Sequence, residues 1–145
     1  MSNALSTLQL NKAVSRRFNE EVKMRHDLSV IDELLSPQFV NRSPIAGFAD
    51  TREGVKGFFA CMFAAFPDFS CRIAESIAED DKVVEYFAIE GTHRGDFFGI
   101  APTGRRVRFE GMHIFALRDG RITEHWNVLD QWALMTQLGA VAAPR

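Results

Sequence analysis

A chain of 145 residues with 46% hydrophobic and 25% charged residues has the size and balance of one ordinary globular domain. A formal net charge of −2 gives no electrostatic footprint for nucleic acid or an anionic membrane. No apolar run approaches the roughly 18–20 residues that cross a bilayer.

The N-terminus, MSNALSTLQLNK, carries neither a basic leader nor a long apolar segment. Leu10, Val14, Phe18 and Val22 then recur every four residues between charged positions, which predicts one buried helical stripe. Ser6 or Thr7 is placed to cap it. A short second helix over Val30 to Leu35 must stop near Pro37. Gln38 to Ser43 reads as extended, and Pro44 and Gly47 mark a loop. Thr51 opens a third helix whose Val55, Phe58, Phe59, Met62, Phe63 and Phe66 form a broad apolar face, ended by Pro67.

The second half reads as strands. Phe69 to Ala78 alternates weakly, Asp80-Asp81 is a turn, and Val83 to Thr92 is rich in β-branched and aromatic residues. A loop with Gly95, Gly99, Pro102 and Gly104 follows. Strands Arg106 to Leu117 and Arg121 to Leu129 meet across Asp119-Gly120, a hairpin signal. A last helix from about Asp130 to Leu138 ends at Gly139. Helices followed by an antiparallel meander predict an α+β fold with the helices on one sheet face and a pocket between the layers. Thirteen Phe residues against one Tyr predict a dry, polarity-poor lining. Phe18, Phe58, Phe59, Phe63 and Phe115 are candidates for it. Cys61 and Cys71 read as reduced core thiols, and with the plain N-terminus they point to the cytoplasm.

The strand Arg121 to Leu129 runs into HWNVLD. Alternation puts Trp126, Val128 and Asp130 on one face. With apolar neighbours, Asp130 would be a desolvated carboxyl group suited to moving a proton on carbon; read as a helix cap, the same residue would only satisfy free N–H groups. Counting back from the turn places His113 near Asn127 or Trp126, on a face with Phe115 and Leu117. It is either a hydrogen-bonded core residue or a partner of Asp130. His93 stands at a strand end, where it could equally fix a loop. The histidines at 26, 93, 113 and 125 show no metal-ligand spacing, no Ser or Cys stands in a nucleophile elbow, and GTHRGDFFG lacks the dinucleotide pattern. No metal and no cofactor are expected.

Four segments then carry a resemblance: FPDF (66–69), GTHRGDFFGIAPTGRRV (91–107), DGRITEHWNVLD (119–130) and QLG (137–139). In order and spacing they resemble the SnoaL-like polyketide cyclases, or ester cyclases, from about Phe18 to Gly139. The resemblance implies one cone-shaped domain over residues 1–145, of the nuclear-transport-factor-two and ketosteroid-isomerase superfamily, with N-terminal helices in the concave face of a strongly curved, mainly antiparallel sheet. It implies an intramolecular aldol cyclisation without metal or cofactor, with Asp130 as the acid/base; on that reading His113 would assist it by donating a hydrogen bond to the developing enolate oxygen. Trp126, Asn41, His93, Tyr86, Phe18, Phe59, Phe63, Phe98 and Phe115 would bind a small apolar carbonyl compound, and the chain would pair as a homodimer through its outer sheet face. Arg42 and Tyr86 depart from the family's pattern and would alter the polarity of the cavity. Two alternatives stay open. One is a binding domain without catalysis. The other is an isomerase-like or epoxide-hydrolysing enzyme using the same cavity; for epoxide hydrolysis Glu90, Glu110 and Arg108 are the available charged groups.

Overall fold

The computed structural model describes residues 5–142. Helix α1 (Thr7–Arg17) starts at Ser6, whose hydroxyl accepts from Gln9 N–H while the Gln9 side chain accepts from Ser6 N–H, a reciprocal cap. It continues as a π-helical segment, Phe18–Met24, followed by a 3₁₀ turn, Leu28–Val30, and the short α2 (Ile31–Leu34). The expected four-residue stripe is corrected here. Leu10 is half exposed, and the buried positions are Asn11, Ser15, Phe18, Asn19, Val22 and Lys23. The wider π turn lets two adjacent residues per turn face inward, so the polar Asn19 and Lys23 enter the interior beside Phe18 and Val22.

Strand β1 (Leu35–Asn41) begins directly after α2, with Pro37 inside it. Helix α3 (Arg52–Ala65) is capped by Thr51, as its sequence predicts. Strands β2 (Ser70–Glu79), β3 (Lys82–Thr92), β4 (Arg106–Arg118) and β5 (Arg121–Leu129) form the meander, and α4 (Gln131–Gln137) closes the chain before Gly139. The β4–β5 turn holds Asp119 at φ 52° and Gly120 at φ 77°, the left-handed pair that the Asp-Gly dipeptide tolerates.

The sheet order is β1-β5-β4-β3-β2, with only β1–β5 parallel. Irregularities interrupt the ladders between Ile73 and Glu75, between Ala116 and Leu117, and between Leu35 and Val40. Such bulges increase local twist and bend the strands, so the sheet curls around its helices without closing. Its inner face carries Val83, Glu85, Phe87 and Ile89 from β3 and Val107, Phe109, His113 and Phe115 from β4, all buried. Gly111 is on the same face; a Cβ there would lie 2.5 Å from Leu129 Cδ2 and 3.0 Å from Phe87, so its lack of a side chain lets these two close on each other. Cys71 is buried as expected, whereas Cys61 is exposed on α3; both thiols are free. Among the described residues, no helix is long and apolar enough to cross a membrane.

Candidate active site

Between the helices and the concave sheet lies a cavity of about 70 Å³. Its wall is mainly apolar, with Phe18, Phe39, Phe48, Phe58, Phe59, Phe69, Phe87 and Phe115 among the lining residues. Edge-to-face packing of Phe18 on Phe59 (5.9 Å) and on Phe115 (5.4 Å) ties α3 to the sheet across the π segment. The polar side chains on the wall are few: Lys23, Asn41, Ser43, His113, His125 and Asn127.

Two histidines are held in defined orientations. Asn41 Oδ1 accepts from Ser43 N–H (3.0 Å), which fixes the amide oxygen toward that turn. The same oxygen faces His125 Nδ1 at 3.1 Å. An amide oxygen only accepts, so His125 carries its proton on Nδ1 and keeps a lone pair on Nε2. Across the strand pair, Ser15 Oγ–H donates to Glu85 Oε1 (2.6 Å), and His113 Nε2 lies 2.8 Å from that oxygen. Burial raises the Glu85 carboxyl above its ordinary range, opposed by the Ser15 hydroxyl and by the charges of Lys23 and Arg16. Burial holds both imidazoles well below the usual histidine value. The neighbouring His113 and Lys23 push His125 lower still, and Lys23 does the same to His113. Both rings are therefore neutral at pH 7, with centroids 5.5 Å apart.

The structure places Asp130 elsewhere. It is exposed, it is the N-cap of α4, and its Oδ1 accepts from Ala133 N–H (3.0 Å). It does not line the cavity. The expectation of a desolvated carboxyl group on an apolar inner face is corrected accordingly, and the cause is local. His125, Asn127 and Leu129 line the cavity, while Trp126, Val128 and Asp130 belong to the opposite face, where Val128 is 75% exposed. Buried Ile122 pairs with Leu117, yet Glu124 pairs with Ala116. Thr123 is thus an extra residue, and its Oγ1–H donates to Ala116 O (3.1 Å). One extra residue reverses which side chains face inward for the rest of the strand.

The other expected residues divide in the same way. Phe18, Asn41, Phe59, His113 and Phe115 line the cavity. Trp126 and Tyr86 do not. Tyr86 lies on the outer face, where its hydroxyl donates to Glu110. His93 is fully buried behind the wall; its Nδ1 accepts from Thr103 N–H (3.2 Å), so it fixes the loop after β3. Phe63 stacks on His26 at 3.9 Å, and Phe98 is 52% exposed in edge contact with Phe48. Arg108 bridges Glu110 (3.1 Å) and Glu90 (3.7 Å) on the outside, so these groups supply no charged array within the cavity. Among the described residues, no group of three or more His, Cys, Asp or Glu is placed to hold a metal ion. Sequence reasoning missed Lys23, Ser43, Glu85, His125 and Asn127. His125 and Asn127 stand in the HWN segment, but unbroken alternation with Trp126, Val128 and Asp130 inward puts them on the opposite face.

Fold and cavity together define a curved α+β cone with an apolar interior and a small set of fixed polar groups. The chain belongs to the SnoaL-like polyketide cyclase family, whose model matches residues 13–138. It is 29% identical over 113 residues to the nogalonic acid methyl ester cyclase of Streptomyces nogalater, covering 75% of this chain and 83% of that one. Among solved structures it is similar to AclR of Streptomyces galilaeus, a candidate hydroxylase, with TM-score 0.84 and 27% identity over 96% of this chain and 87% of AclR. It is likewise similar to IdmH of Streptomyces antibioticus, a candidate polyketide cyclase, with TM-score 0.78 and 29% identity over 89% of this chain and 98% of IdmH.

Proposed function

We propose that this chain is a cyclase-type enzyme that closes a ring in an apolar carbonyl compound by an intramolecular aldol reaction, with His125 as the general acid/base. The observation that carries the reading is the chain Ser43 N–H to Asn41 Oδ1 to His125 Nδ1, which presents Nε2 as a proton acceptor in an apolar cavity. A base held in one tautomer by a third group is a recurrent arrangement in acid/base catalysis. Family membership and the ester cyclase relative support the cyclase class.

In this reading His125 Nε2 takes a proton from a carbon flanked by carbonyls. The resulting enolate carbon bonds to a second carbonyl carbon of the same molecule, and that carbonyl's oxygen becomes an alkoxide. His125 then returns the proton to the alkoxide. The reaction needs only proton transfers and one new carbon–carbon bond, so no cofactor is invoked. His113, neutral and anchored on Glu85, lies across the strand pair from Asn127, with its ring centroid 5.5 Å from that of His125. The Phe-rich wall excludes water, which would otherwise quench the enolate.

The test uses a panel of β-keto esters and cyclisable polyketide analogues with three proteins. His125→Gln should retain the fold and lose turnover by about 10²–10⁴-fold, whereas Asp130→Asn, which keeps the helix cap, should turn over like the wild type. The opposite result, with Asp130→Asn inactive and His125→Gln active, would return the role to Asp130. Tight binding across the panel with no turnover by the wild type would leave a binding domain.

A further inference from the structure

A base of low basicity raises a problem that the site must solve. Burial, His113 and Lys23 all depress the His125 imidazole, and a weak base removes a proton from carbon only if the carbanion is stabilised elsewhere. The cavity holds one cationic side chain on its wall. Lys23 is 5% exposed and lines the cavity. No carboxylate lies within ion-pair distance of its Nζ among the described residues. Its nearest polar partner is Cys71 Sγ at 4.0 Å, and its Nζ otherwise stands over the Phe87 ring at 4.3 Å and the Phe18 ring at 5.9 Å. Cation–π contact satisfies a charge in part, but it leaves the N–H donors of the ammonium without an oxygen.

The backbone shows how the sequence places it there. Lys23 lies in the π-helical segment, where Arg25 N–H donates to Glu20 O (3.2 Å), five residues back. An unbroken α-helix would turn position 23 away from the Phe18–Val22 face; the wider turn brings it in. A buried ammonium whose side-chain partner is a weakly accepting sulfur, with no carboxylate beside it, is costly to the fold, which points to a ligand as its partner.

We propose that Lys23 is the oxyanion-binding residue of the cavity, holding the enolate oxygen of a 1,3-dicarbonyl ligand whose apolar body lies along the Phe wall. The assignment rests on the acid/base reading above and adds the group that makes a depressed histidine base sufficient. The ammonium supplies up to three donors to an oxygen that carries partial charge in the neutral ligand and full charge in the enolate, so it favours the charged form. The other ionisable groups that its charge reaches are Cys71 on β2, His113 on β4, His125 on β5 and Glu85 on β3, the last of which also feels Arg16 of α1. Glu85 is already engaged by Ser15 and His113 and so leaves the ammonium free for a ligand.

The probe is 1-phenylbutane-1,3-dione, whose enolate and neutral enol differ in ultraviolet absorption. Bound to the wild type, its ionisation constant should rise by about 10–10³-fold over water, the range produced by an adjacent opposite charge. Lys23→Met keeps the apolar stem and should return the constant to the value in water or below, while Lys23→Arg keeps the charge and should retain most of the rise. Thermal melts establish that each variant is folded. If Lys23→Met does not fold, the Arg variant and the wild type decide alone. A wild type that binds only the neutral enol, or binds no diketone, overturns the proposal. So does an unchanged ionisation constant in Lys23→Met, which would leave Lys23 as a packing residue. His125→Gln separates the two readings: it should still bind the enolate while losing turnover. If His125→Gln turns over normally but the enolate shift persists and depends on Lys23, the base assignment fails and the Lys23 site stands.

Discussion

Two polar clusters lie back to back on one sheet. Inside, Glu85 meets Ser15 and His113 and is 2% exposed. Outside, Glu110 meets Tyr86 and Arg108 at the surface. The residue types are similar, and their protonation is pushed in opposite directions. Burial lifts the Glu85 carboxyl, while the Tyr86 hydroxyl and then the Arg108 guanidinium hold the Glu110 carboxyl low. Water accounts for the difference. On the outer face, solvent hydrates each charge and screens each pair, so the network has little energetic weight. On the inner face, every charge must be answered by a specific neighbour. Reactive groups therefore belong to the inner face, even though the outer one holds more charged residues.

The comparison is broken most severely at Glu85. Glu85→Ala leaves the Ser15 hydroxyl and the His113 ring without their partner in a dry interior. It should destabilise the fold by about 2–4 kcal/mol in denaturant unfolding, the cost of two orphaned buried polar groups. Glu110→Ala, measured the same way, should be indistinguishable from the wild type. A loss at Glu110 as large as at Glu85 would erase the distinction.

Next in size is the response to pH. The folded-state values of His113 and His125 lie below the ordinary 6.5. Their contribution to stability is therefore full above pH 6.5 and is lost as pH falls below it toward the folded values. Glu85 has the opposite sign. Its folded value lies above the ordinary 4.5, so its contribution is full below pH 4.5 and is lost as pH rises through the folded value. For catalysis the sign is simple, because His125 acts as a base only when neutral. The kcat/KM plateau should extend unbroken below pH 6.5 before it falls. A half-loss at or above 6.5 would show that the ring is hydrated and the cavity wet.

The smallest expected effect is at Asp130. Asp130→Ala removes the acceptor for Ala133 N–H and should cost about 1 kcal/mol, the usual value of an N-cap, with turnover retained. Loss of turnover without loss of stability would move the chemistry to the outer face.

Much of this molecule is written locally. The Thr51 cap, the Phe face of α3, the Asp119-Gly120 turn and the order of the strands follow from spacing and turn chemistry, which act over a few residues. The segments 66–69, 91–107, 119–130 and 137–139 likewise identify the family, because their order along the chain is itself sequence information. The composition of the site depended on two single-residue irregularities. The extra Thr123 exchanges Trp126, Val128 and Asp130 for His125, Asn127 and Leu129 at the cavity, and the π turn brings Lys23 in beside Phe18. Period-two and period-3.6 patterns assume unbroken ladders. Whether a ladder slips by one residue is settled by packing against distant partners, here the Thr123 hydroxyl on Ala116 O and the Lys23 ammonium over Phe87, and those partners meet only in the folded chain.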